Sequence, residues 1–100
     1  MTRPHLLCLT AATALTHLAT CPPASAHGHL LAAREALAAI VSAYGTSAMG
    51  EEARSHTVVL RLGALPSPPT LRAMAATWSS HAARLSARHT PGAGVTHAGT

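Results

Sequence analysis

The sequence predicts an all-α protein: two or three short helices in a small, loosely packed bundle, preceded by a signal-peptide helix and followed by a disordered tail. Three observations lead there. Apolar residues recur at three- and four-residue steps in two long segments. Ala, the strongest helix former, dominates the apolar content. The one β-branched run, Thr57-Val58-Val59-Leu60-Arg61-Leu62, has no second strand in the chain to pair with. The expected organisation is a leader over residues 1–26, a helical domain over 27–89 with a Pro-rich linker at 66–69, and a tail over 90–100.

Residues 1–26 carry the three parts of a secretory leader in order. Arg3 and the amino terminus supply the positive charge, and Leu6 to Thr20 is a run of low polarity. Pro22 and Pro23 break the helix. Ala24 and Ala26 then place small residues where a signal peptidase reads them, so the mature chain starts at His27. The run is too short to span a bilayer comfortably. Two alternatives stand beside this reading. One is an ordinary N-terminal helix, amphipathic or buried. The other is a lipoprotein anchored through Cys21, since Leu18-Ala19-Thr20-Cys21 resembles a bacterial lipobox with Thr20 in place of the usual Gly, Ala or Ser.

In the mature chain, Leu30, Ala33, Leu37, Val41 and Tyr44 form one apolar stripe, and Gly45 sits where a C-terminal cap belongs. Thr46 to Gly50 reads as a break. Glu51 to Leu65 reads as helix, with Ala53, Thr57, Leu60 and Ala64 on one face and the Glu51-Glu52 pair at its start, although the β-branched run is also compatible with a short strand. Pro66 to Pro69 reads as a stiff extended linker, after which Thr70 caps a last helix with the stripe Leu71, Met74, Trp78, Ala82 and Leu85. The expected core is Leu37, Val41, Leu60, Trp78 and Leu85.

Composition narrows the functional classes. Removing the leader leaves a chain at the size where one core is marginal, and this one has no Phe, one Trp and one Tyr. Lys, Asp, Asn and Gln are absent, a bias expected of GC-rich coding and compatible with a reading frame rarely or never translated. The basic excess rests on dispersed Arg residues with almost no stacking aromatics, which argues against nucleic acid as a partner. Cys8 and Cys21 both lie in the leader, so the mature chain has no cysteine staple.

The sharpest chemistry lies at the expected new terminus. A chain beginning His27-Gly28-His29 offers a free amine, two backbone amides and the His29 imidazole, the square-planar nitrogen set that Cu(II) or Ni(II) prefers. The His27 ring and amine offer a second chelate. His27 and Gly28 also resemble the start of secreted copper-dependent polysaccharide monooxygenases. The family's second, distant copper-binding His, its aromatic substrate platform and its much longer β-sandwich have no counterpart here, so the resemblance implies a copper-capable terminus and not the enzyme. No other cofactor is expected.

His56, His81, His89 and His97 read as solvated surface residues. His81 and His89 are two turns apart on one helix, too far to share a metal, and His56 and His97 lack partners at ligand spacing. Ser79, Ser80 and His81 read as no catalytic group, with no carboxylate nearby and no Gly-x-Ser-x-Gly elbow, and Glu51 and Glu52 diverge by about 100° on a helix. These readings point to a non-enzymatic binding or accessory component. A protein partner or an anionic membrane surface is the expected target, through Leu71, Trp78, Arg84 and Arg88, but the size of the chain favours the same stripe as its core.

Overall fold

The computed structural model describes residues 4–61 and 64–88, and among these the chain forms four α-helices. They are α1 (Pro4–Thr20), α2 (Ala26–Tyr44), α3 (Ala48–Val59) and α4 (Pro68–Arg88), with a 3-10 turn at Pro23–Ser25 between the first two. Among the described residues there is no strand, so the all-α class holds. The expected tail over 90–100, with His89 and His97, lies outside the described residues.

The position of α1 decides the architecture. It packs along both α2 and α4, while α2 also packs on α3. Its buried residues, Cys8, Ala11, Ala12, Ala14, Leu15 and Leu18, cover a face wider than a single stripe, as a helix touching two neighbours requires. The three alanines keep that face low, which allows close helix approach. The threonines that interrupt the apolar run are accommodated within the helix itself: the Thr10, Thr16 and Thr20 hydroxyls donate to the carbonyls of Leu6, Ala12 and Thr16 at 2.8, 2.8 and 3.1 Å.

The stripes expected on α2 and α4 are the ones that close over this helix. Leu30, Ala33 and Leu37 are buried, joined by Ala36 and Ile40, and on α4 Leu71, Met74, Trp78 and Ala82 are buried with Ala75. Val41, Tyr44 and Leu85 lie half-buried at the margin of the same core. Of the five residues expected to form the core, Leu37, Leu60 and Trp78 are fully enclosed.

Several boundaries move for identifiable reasons. Helix α2 starts at Ala26, four residues before Leu30, because the 3-10 turn feeds directly into it. Gly45 ends it with φ 53°, and its N–H donates to the Val41 carbonyl at 2.8 Å. The break expected over Thr46–Gly50 shrinks, since Ser47 caps α3 by accepting from the Gly50 N–H at 3.3 Å. Gly50 sits so close to the preceding turn that a Cβ there would lie 2.3 Å from the Gly45 carbonyl oxygen. The helix expected to reach Leu65 ends at Val59, and residues 57–59 do not form a strand: Thr57 donates to the Ala53 carbonyl at 2.8 Å, and Leu60 leaves the helix in extended backbone with its side chain fully buried.

The linker expected at 66–69 is half absorbed into α4. Ser67, and not Thr70, caps the helix: its Oγ accepts from the Thr70 N–H at 3.4 Å and its carbonyl from the Leu71 N–H at 3.0 Å. Pro68 and Pro69 then occupy the first turn, where a missing N–H removes no intrahelical bond.

Candidate functional site

The histidines concentrate the chemistry of this chain, and packing sorts five of those described into three groups. The first is the pair read as a metal-binding terminus. His27 and His29 lie in the first turn of α2, with His27 exposed and His29 half-buried. Two residues apart on a helix, they point to opposite sides, so the folded chain with α1 attached does not bring them together. Gly28 between them has open space around it. Of the two small residues read as a cleavage signal, Ala24 is exposed in the 3-10 turn, and Ala26 begins α2 and packs partly against the core.

The second group joins α3 to α4. Glu52 and His56 are one turn apart on α3, and Trp78, His81 and Arg84 follow at three-residue steps on α4. The Trp78 indole N–H donates to His56 Nδ1 at 2.9 Å, with the rings edge-on at 5.7 Å between centroids. His81 Nε2 meets Glu52 Oε1 at 2.6 Å, and Arg84 Nη2 donates to His81 Nδ1. The network fixes the tautomers: both rings accept at Nδ1, so both carry their proton on Nε2. Burial pushes the His56 imidazole below its ordinary pKa; Glu52 opposes that shift and His81 adds to it.

This group corrects two readings of the sequence. His56 and His81 are not solvated surface residues: each is half-buried and hydrogen-bonded to the facing helix. His81 does have a carboxylate beside it, supplied by Glu52 from 29 residues away. The only trace in the sequence was the matched spacing, four residues on one helix and three on the other. Ser79 and Ser80 remain on the exposed side of α4.

A Glu–His pair is half of a general-base arrangement. Here Glu52 takes one nitrogen of His81 and Arg84 the other, so neither is open toward a substrate proton. The arrangement is suited to holding two helices in register. Beside it, Tyr44, Met49 and Leu85 line a cleft of about 350 Å³ rimmed by His81 and Arg84. Burial raises the Tyr44 phenol, with a smaller contribution from the Cys8 thiol.

The third group is His17 on α1 with His29 on α2. Their ring centroids are 5.3 Å apart and the rings meet edge to face. Both line a cleft of about 370 Å³ floored by Leu6, Leu9 and Ala14.

The residues read as a docking surface are mostly enclosed. Leu71 is 2% and Trp78 0% exposed, so these two belong to the core, as the size of the chain favoured. Arg84 is exposed, and Arg88 is the last residue of α4. Among the described residues no helix is long and apolar enough to cross a membrane, and no three His, Cys, Asp or Glu residues gather as metal ligands. The chain matches no protein family, no curated protein and no solved structure.

Proposed function

We propose that this chain is a small exported, non-enzymatic binding component, directed out of the cytoplasm by residues 1–26 and loosely held once that leader is removed. The mature chain then offers a protein partner the apolar faces of α2 and α4 that α1 fills in the full chain. One observation supports the association half of this reading: α1 contributes six of the eighteen buried apolar residues among those described, and it contacts both of the other long helices. The export half rests on the order of charge, apolar run and small residues in 1–26. A chain cut after Ala26 exposes the rest of that core, and an exposed apolar surface of that extent is a site of association. The closed hydrogen-bonding of His81 favours binding over catalysis. Secretion is the proposed destination, with lipid anchoring at Cys21 as its alternative.

The experiment is an intact mass, with N-terminal sequencing, of the product exported by a GC-rich bacterial host. A chain beginning at His27 is the expected result. A product that keeps Met1 overturns export by cleavage, and one lipidated at Cys21 replaces secretion with anchoring.

A second reading, a Cu(II)- or Ni(II)-binding terminus, rests on the exposed His27 and the unencumbered Gly28. Cleavage removes every carbonyl upstream of these residues, leaving the Gly28 and His29 amides without helical acceptors and open to a metal. Tight Cu(II) binding by the His27–Thr100 chain supports it. Unchanged affinity after His29→Ala together with blocking of the amine sinks it.

A further inference from the structure

We propose that His17 and His29 form a two-histidine clamp for a divalent transition ion, bridging α1 and α2 in the chain that retains residues 1–26. This site is separate from the His27-Gly28-His29 terminus, which needs the leader removed. His29 belongs to both, and cleavage after Ala26 abolishes the clamp by removing His17.

The geometry carries the assignment. A metal–nitrogen bond of about 2.0–2.1 Å puts each imidazole centroid about 3.2 Å from the ion, so two rings at the tetrahedral angle hold their centroids about 5.2 Å apart. The observed separation is 5.3 Å. The two helices therefore bring the rings within the span of one ion, edge to face. Chelation requires both rings to turn about their side-chain bonds until a nitrogen of each meets the ion, and the exposed His17 ring has room to do so.

The two residues reach each other because the α1–α2 connection is tight. Cys21 N–H bonds back to the His17 carbonyl at 2.8 Å, and the 3-10 turn reverses the chain at once into α2. The site also has room: both rings line the cleft of about 370 Å³ with Thr10 and Thr13. Among the described residues no third His, Cys, Asp or Glu joins them, so the other coordination positions belong to water or to an external ligand. Neutral imidazole suits Zn(II), Ni(II) and Cu(II), with Cu(II) held most tightly of the three. An ion bound here staples the leader helix to α2.

The test is titration of the full 1–100 chain, its intact mass verified, with Zn(II), Ni(II) and Cu(II) chlorides by calorimetry. One equivalent binds in the order Cu(II) above Ni(II) and Zn(II), and the ion raises Tm. Either His17→Ala or His29→Ala lowers affinity by at least about tenfold and abolishes the Tm rise, while His27→Ala changes neither. Substoichiometric Cu(II) broadens the ring resonances of His17 and His29 in the unmodified chain before those of other histidines, a readout independent of any variant's folding. Absence of binding, retention of affinity in His17→Ala, or loss of it in His27→Ala overturns the proposal.

Discussion

Replacing Leu15 with Ala in the full chain tests directly whether residues 4–20 are part of the fold. Leu15 is 0% exposed, at the centre of a helix that contacts two others. The substitution deletes three carbons' worth of buried side chain, roughly 2.4 kcal/mol at about 0.8 kcal/mol per methylene. The cavity left between α1, α2 and α4 adds to this, bringing the expected loss to about 3–5 kcal/mol. A domain of this size has a total stability of about 5–15 kcal/mol, so the variant loses a large share of its stability or unfolds. The assay is urea unfolding followed by helical circular dichroism and Trp78 fluorescence. Leu9→Ala is the control, because Leu9 is 44% exposed on the same helix and changes stability by no more than about 0.5 kcal/mol. If Leu15→Ala costs no more than Leu9→Ala, α1 is not docked in the core, and the arguments built on its packing fall with it.

Three further outcomes follow from the described contacts. Gly50→Ala improves helix propensity but pushes a Cβ into the Gly45 carbonyl, with a net loss of about 1–3 kcal/mol seen as a lower Tm; an unchanged or higher Tm contradicts the close approach. Trp78→Phe removes the indole donor and leaves His56 Nδ1 unsatisfied, a loss of about 1–3 kcal/mol in urea, reduced by whatever water reaches that half-buried nitrogen. Stability also falls on acidification. His56 has a folded pKa below its unfolded value, so the unfolded chain takes up the proton first, and stability present above the unfolded value of about 6.5 is lost as the pH falls toward the folded one. Protonation also destroys the acceptor that Trp78 uses. Urea unfolding at pH 7.5 and 5 measures this, and in His56→Gln the slope across that window should flatten.

How far the sequence reached is clearest helix by helix. The stripes of α2 and α4 were legible because each has a three- and four-residue period and faces one continuous core. Gly45 was legible as a cap because few other residues accept a positive φ. The start of α4 was misplaced by three residues, since Pro66 to Pro69 spells a linker unless Ser67 is seen to cap it. The Glu52–His81 contact left no trace in the sequence beyond the matched spacing on the two helices. It joins residues 29 apart whose neighbours in sequence are unremarkable.

The residues alone therefore determined the helical class, the apolar faces of α2 and α4 and the stop at Gly45, because these follow from local periodicity and backbone sterics. Tertiary structure decided the partners. The same apolar α1 reads as a leader by composition and serves as the central packing surface in the folded chain, since burial depends on what lies alongside and not on the segment itself. The same holds for the histidines: their identity fixes what they can bind, but only the crossing of helices selects which nitrogen meets which partner.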